Sequence, residues 1–469
     1  MKKYIKQISV VIVCILCFGM GISVSNIMNK NTSYDEWQKL ESIYSILTTK
    51  WYYANQIEDL DEELIEQAIS GMCYLEEDLH TNYFSLEQAQ QFSSSLEGSN
   101  IGVGFSYYVN DDGNFVVMKT FVNSPADLAG IQKGDIITKI GDMVCKENES
   151  EDVVSMIQSS EGIELTVNYI RNDKEEKTTV SPTSYDSTVS CLIEDGYGII
   201  QLNSFSENSA VEFNEALTRI KKAGIDRLII DLRENTGGYL KSVLDISACL
   251  LPENSTVFIE NNADGTSVEQ KVSSNYSQTE MDSIVILQNG NTASASEVLI
   301  GALKDNLEDK VSTVGVTSYG KGTEQNSVPF TDGTSIKYTV AEWTTPNGTS
   351  INLKGFDPDY LVEQMEAESI TYMTMEEDEI IEADSVHYNS SAIQTYLEFL
   401  GYDVDRKDEY FSPTSSNSLA LFQQDNGLES TGNCDYETWT LLKDKASKKL
   451  NEHKDEYDNQ LNKAIELLK

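Results

Sequence analysis

Residues 283–306 read SIVILQNGNTASASEVLIGALKDN. The apolar run Ile284 to Leu287 has the length of a buried strand, Asn289 and Gly290 open a turn of small residues, and an amphipathic helical stretch runs from about Ser296 to Asn306. A strand joined to a helix in this way can project a serine hydroxyl beside the free N–H groups of the helix N-terminus, donors able to stabilise an oxyanion. Thr292, Ala293, Ser294 and Ala295 surround the candidate, so the turn is not the G-x-S-x-G elbow. Upstream, GYGIIQLNSF (196–205), AVEFNEALTRIKKAG (210–224) and IDRLIIDLRENTGG (225–238) continue the alternation of strand and helix. Residues 184–362 are therefore expected to form an α/β core with some parallel pairing.

A hydroxyl nucleophile needs a base. His80, His387 and His453 are the three histidines; the last two lie in strongly charged surroundings expected to be solvated, so a Ser-His-Asp triad has at most one candidate base, His80, which argues against it. Lys321, between Gly320 and Gly322 in SYGKGTEQ (318–325), is the alternative. Glycines on both sides let a lysine enter a crowded site, and a lysine acts as base only when burial makes it neutral. From the residues alone a plain helix cap at T-A-S-A-S-E is the favoured reading over a serine-lysine dyad.

The rest of the chain divides by texture. Its 469 residues suffice for three or four domains at roughly 100–200 each. Lys and Arg number 34 against 77 Asp and Glu, a net charge of −43 that argues against nucleic-acid binding. Lys2, Lys3 and Lys6 precede an uncharged run, Gln7 to Asn29, long enough to span a hydrocarbon core of about 30 Å. Asp35 and Glu36 follow, so residues 1–33 are expected to be a cytoplasmic tip and transmembrane anchor, N-terminus inside, with a signal peptide as the competing reading. Residues 34–95 repeat Trp37, Leu40, Tyr44, Leu47 and Trp51 at helical spacing. Short strand-like runs with glycine turns fill 96–183. The acidic stretch 363–388 reads as a solvated linker; 389–445 is a small helical module; and 446–469 is an amphipathic helix lined by Leu450, Tyr457, Leu461, Ala464, Ile465 and Leu468. Cys73, Cys145, Cys191, Cys249 and Cys434 are scattered, indicating separate buried thiols.

Two modules carry family resemblances. SPADLAGIQKGDIITKIGD (124–142) resembles the core of a PDZ domain through Ser124, Pro125, Ala126, Ala129, Gly130, Ile131, Gly134, Asp135 and Ile136. The resemblance implies that a peptide C-terminus is bound at Ile101, Gly102, Val103, Gly104 and Phe105, adding as a strand. Leu397, Leu400, Gly401 and Tyr402, with Phe422, Gln423, Gly427 and Leu428 and with Thr431, Gly432, Asp435 and Thr438, resemble the three-helix peptidoglycan-binding domain.

DLRENTGG (231–238), TASASEVLIGALKDN (292–306), YGKGTEQ (319–325) and TPNGTSINLKGFDPD (345–359) resemble, in order and behind the PDZ-like segment, the motif blocks of the carboxyl-terminal processing peptidases, or tail-specific proteases. That resemblance implies Ser294 as nucleophile, Lys321 as base and Gln325 as the residue positioning the lysine. It also implies oxyanion donors at Ala295 and at either Gly237 or Gly238, with no metal or organic cofactor. Ser296 is expected to cap the helix, with Glu297 in its first turn. Departures from the family pattern are Tyr319 in place of Phe, a serine-to-lysine span lengthened around LEDKVST, and Glu324 in place of a small apolar residue, expected to face away from Lys321 along an extended strand.

The fold expected is multidomain, α/β and α+β: a transmembrane helix, a β-rich PDZ domain, an α/β serine-peptidase core and a three-helix peptidoglycan-binding domain. The function expected is a membrane-anchored extracytoplasmic serine endopeptidase acting on proteins with free C-termini. Its module would hold peptidoglycan, and the apolar stripes of the terminal helical regions point to a homodimer. The rivals are a catalytically inactive PDZ and wall-binding adaptor, and a hydrolase of peptidoglycan peptide cross-links.

Overall fold

A computed structural model describes residues 35–97 and 99–469; the expected anchor, residues 1–33, lies outside them. Among the described residues no helix is long and apolar enough to cross a membrane. The chain forms two units, one ending at Ser85 and taking in Ser335–Lys337, the other comprising Leu86–Thr334 and Tyr338–Lys469.

In the first unit the helical periodicity is realised as helices Glu36–Thr49 and Leu60–Cys73, and strand Asn82–Phe84 pairs antiparallel with residues 335–337. Helix Glu36–Thr49 buries none of its residues, and Trp37, Ile46 and Met72 remain exposed.

The second unit opens with an antiparallel sheet in the order Phe105–Val109, Phe115–Thr120, Ile136–Ile140, Leu165–Arg171, Lys174–Val180. Alternate residues of its strands turn inward, so Phe115, Val117, Ile137, Ile140 and Val167 meet Val153 and Ile157 of helix Ser150–Ser159 in one core. The S-P-A-D segment is a helix start: Ser124 caps Pro125–Leu128, with its oxygen 3.3 Å from the Asp127 amide. Asp135 is buried and held by the Arg171 fork at 2.6 Å on each oxygen.

The α/β core is a six-stranded sheet in the order Val189–Glu194, Tyr197–Leu202, Arg227–Asp231, Ser283–Gln288, Val311–Gly315, Tyr360–Leu361. Its first two strands form an antiparallel hairpin and the others run parallel. Leu228, Ile230, Ile284 and Ile286 face helices Ser209–Lys222, Leu240–Leu250 and Ala295–Leu307. Ile229, Val285, Leu287 and Val314 face the other way, onto Ala464 and Leu468 of the C-terminal helix Asn459–Leu468. Burial on both faces is why these strands read as unbroken apolar runs.

The C-terminal module packs Ser390–Leu400, Pro413–Asp425 and Tyr436–Glu452 around Leu397, Phe422 and Trp439. Two expectations are corrected. The stretch 363–388 is not a solvated linker, because Ala367, Met375 and Ile381 are spaced among its acids and fill this module's core, while His387 bonds Glu379 at 2.8 Å. The terminal helix is not continuous from 446: Tyr436–Glu452 ends, Lys454–Tyr457 forms one turn, and Asp458 caps a new helix through the Leu461 amide at 2.9 Å. Leu450 therefore lies on a different helix from Ala464. The five cysteines among the described residues are separate thiols, four of them buried.

Candidate active site

Three loops meet at the carboxyl ends of the parallel strands, the position where sheets of this kind bind ligands. Asp231–Gly238 follows Arg227–Asp231, Asn289–Ser294 follows Ser283–Gln288, and Val316–Gly322 follows Val311–Gly315. Asn235 joins the first two. Its side chain donates to the Leu202 carbonyl at 2.7 Å and accepts the Gly237 amide at 2.9 Å, while its own carbonyl takes the Ala293 amide and the Ser296 hydroxyl.

Ser294 is the N-cap of helix Ala295–Leu307, at φ 56° and ψ −118°, a conformation that costs a non-glycine residue free energy and recurs at functional turns. Ser296 does not cap the helix, as expected above, because its hydroxyl is turned inward onto Asn235 at 2.9 Å and fully buried. The sequence held the signal: Ser294-Ala-Ser-Glu297 has capping-box spacing, which names the first serine.

Glu297 is the residue that the sequence reading undervalued. It lies in the first turn and is completely buried. One carboxylate oxygen accepts the Ser294 amide at 3.0 Å and the Lys321 amide at 2.8 Å. The other accepts the Gly320 amide at 2.7 Å and the Ser318 hydroxyl at 2.6 Å. Four donors on one buried carboxylate fix the backbones of Ser294 and Lys321 to a common point.

The glycines beside Lys321 act as expected. A Cβ at Gly320, which has φ +90°, would lie 2.7 Å from the amides of Lys354 and Gly355, and one at Gly322 would lie 2.6 Å from Asn352 Cβ. The lysine loop is thus pressed against INLKG. The Lys321 carbonyl accepts the Trp343 indole N–H at 3.1 Å. Gln325 donates to Thr323 and Thr339 at 2.9 and 3.3 Å. Burial and the neighbouring Glu260 push the Glu324 carboxyl up.

Gly237 lies against the serine turn, since a Cβ there would be 2.9 Å from Ser294 Cβ and 3.0 Å from the Ala295 nitrogen. Its own N–H is taken by Asn235; the amides of Gly238 and Ala295 donate to no acceptor among the described residues. In the antiparallel module Ile101 and Gly102 end strand Ser99–Gly102, and Phe105 begins the sheet's edge strand. Between them Gly104, at φ +84°, packs against Ser124, and the Val103 and Gly104 amides likewise donate to no described acceptor.

An α/β sheet with a strained serine at a helix N-terminus, a lysine loop tied to it and a β-rich module ahead of it describes a multidomain serine peptidase. Matches to known families agree. Residues 196–362 match peptidase family S41, residues 99–181 a PDZ domain, and residues 387–442 a peptidoglycan-binding domain. A protein of Staphylococcus aureus (strain bovine RF122 / ET3-1), named a probable CtpA-like serine protease, is 30% identical over 446 residues, 95% of this chain and 87% of its own length. One of the same name from Staphylococcus epidermidis is 30% identical over 443 residues, 92% of this chain and 86% of its own. Among solved structures, the photosystem II D1 C-terminal processing protease shares 23% identity over 68% of this chain and 88% of its own, at a TM-score of 0.37. Mature CPAF shares 12% over 69% and 92%, at 0.33. The chain belongs to peptidase family S41, the C-terminal processing peptidases, and carries PDZ and peptidoglycan-binding domains.

Proposed function

We propose that this chain is an extracytoplasmic endopeptidase held to the membrane by residues 1–33 and working through a Ser294/Lys321 dyad. The Lys321 amine takes the proton of the Ser294 hydroxyl as its oxygen attacks the scissile carbonyl. The tetrahedral oxyanion is held by the amides of Ala295 and Gly238, and Gly237 is set aside because Asn235 occupies its N–H. Collapse passes the proton from Lys321 to the leaving amine and leaves an acyl-Ser294 ester, which water hydrolyses with the lysine again as base. Gln325 orients the lysine from strand Thr323–Pro329. The PDZ domain receives the C-terminus of a substrate or partner at Ile101–Phe105, where the Val103 and Gly104 amides suit a carboxylate. The wall module holds the enzyme at peptidoglycan, and the exposed apolar residues of helix Glu36–Thr49 favour self-association.

The observation that carries this reading is the shared grip of Glu297 on the Ser294 and Lys321 amides. The test incubates the chain with an unstructured protein ending in an apolar C-terminus and follows fragments by mass spectrometry. Cleavage lost in Ser294→Ala and Lys321→Ala but kept in Ser296→Ala supports the dyad. Equal cleavage by wild type and Ser294→Ala overturns it.

A further inference from the structure

The C-terminal end of the chain reaches the loop that precedes the oxyanion donors. Arg233, in DLRENTGG, is the centre of a buried ion cluster. Its Nε and Nη2 bond the two oxygens of Asp231 at 2.9 and 2.7 Å, and its Nη1 and Nη2 bond the two oxygens of Asp458 at 2.8 and 2.9 Å. Nη1 also reaches Gln460 Oε1 at 3.3 Å. The side chains are 13% exposed for Arg233, 9% for Asp231 and 2% for Asp458. Burial pushes the Asp458 carboxyl up, but the Arg233 guanidinium and the Leu461 amide outweigh it and hold the carboxyl below its usual range.

Asp458 lies 225 residues from Arg233, beyond the peptidoglycan-binding domain and at the start of the final helix. It caps the final helix and accepts the Gln364 amide at 2.8 Å. Gln364 follows the last strand of the catalytic sheet, so segments from both sides of the C-terminal module meet at the Asp458 carboxylate. The helix is held at its other end as well, where Arg227 donates to the Leu468 carbonyl. Two residues beyond Arg233, Asn235 holds the Gly237 amide, the Ala293 amide and the Ser296 hydroxyl. Only the exposed Glu234, whose amide is held by Asn289 at 3.1 Å, separates Arg233 from the buried Asn235, so a shift of Arg233 is carried through two peptide bonds to the groups flanking Ser294.

We infer that Asp458 is a positioning residue for peptide hydrolysis: through its bidentate pair with Arg233 it fixes the Asp231–Gly238 loop, and so the oxyanion donors, from outside the catalytic domain. Without Asp458, Arg233 is left as a buried cation satisfied on one side only, and its loop relaxes toward water. The inference rests on the dyad reading of Ser294, and the experiment separates the two.

The full chain in detergent is compared with Asp458→Asn, Asp458→Glu and Ser294→Ala. The readouts are kcat and KM on a peptide substrate, affinity for a peptide boronic acid that forms a tetrahedral anionic adduct on a serine, and thermal unfolding. Asp458→Asn is expected to lower kcat and boronate affinity together by about 10- to 100-fold with KM little changed, as for a lost transition-state contact, and Asp458→Glu to recover part of both. Values within twofold of wild type, or loss only in proportion to unfolded protein, overturn the inference while leaving the dyad intact. Wild type no better than Ser294→Ala in cleavage and boronate binding overturns the dyad reading and the inference with it. Should Asp458→Asn unfold below assay temperature, Gln460→Ala decides instead, since it removes the neutral Arg233 contact and a bond to the Val362 carbonyl while leaving the charged pair in place. A kcat loss of about threefold or more at constant KM is then expected, and an unchanged kcat overturns the inference.

Discussion

At the scale of single residues, two buried carboxylates do opposite things. Glu297 is ionic glue, with all four of its bonds coming from donors of the serine and lysine loops. Glu297→Gln keeps the shape but turns an NH2 toward N–H or O–H donors, leaving them unpaired. Urea unfolding is expected to show a loss of about 2–4 kcal/mol, with kcat falling more than KM changes. Glu212, on helix Ser209–Lys222, has instead the character of a neutral acid. Burial pushes its carboxyl up from 4.5 to about 8, opposed by the Thr188 hydroxyl hydrogen bond and aided by Asp186. A pKa higher in the folded than in the unfolded chain means that folded protein holds the extra proton between these values. This contribution to stability is therefore full below about pH 4.5 and is lost as pH rises toward about 8. Glu212→Gln is expected to flatten the fall of Tm across that window; a slope equal to wild type would show that Glu212 titrates normally.

At the scale of elements, the strand–turn–helix units put three loops at one edge of the sheet, and small residues let them touch. Gly237, at φ +107°, is the tightest of these approaches to the serine. Gly237→Ala would drive a methyl to within 2.9 Å of Ser294 Cβ and 3.0 Å of the Ala295 nitrogen. Activity is expected to fall by at least about 100-fold, comparable to losing an oxyanion donor, while the far-UV circular dichroism spectrum is unchanged. The same scale explains what the sequence hid. The acids of 363–388 masked Ala367, Met375 and Ile381, because a helical or irregular segment that buries one residue in six or more shows no clear period. The strand, turn and helix around Ser294 were readable because each is local, with apolar strand, small turn and S-x-x-E spacing in one window.

At the scale of the molecule, the charge of −43 bears on how a wall module can work. Cell-wall polymers that are themselves anionic would repel this chain, so attachment must come from specific contacts within residues 387–442 rather than from bulk charge. Sedimentation with purified sacculi is expected to hold or strengthen as salt rises from low to physiological ionic strength; binding that weakens with salt would point to electrostatic adhesion instead. The C-terminal helix gives the molecule a further coherence, since it covers one face of the catalytic sheet and brings Asp458 to Arg233.

The sequence by itself determined the order of modules, the α/β character of residues 184–362, and the residues proposed as nucleophile and base. The α/β character is written in short windows whose periodicity and turn residues need no distant partner, whereas the proposed nucleophile and base are what the resemblance of four ordered motif blocks to the C-terminal processing peptidases implies. Only the tertiary structure decided that the Ser296 hydroxyl turns inward onto Asn235, that Glu297 binds the serine and lysine loops together, that Asn235 takes the Gly237 amide while that of Gly238 meets no acceptor among the described residues, and that Asp458 grips Arg233. Each of these depends on which donor meets which acceptor across a sheet edge or across hundreds of residues. A buried carboxylate and a solvated one are spelled with the same letter until the fold removes the water.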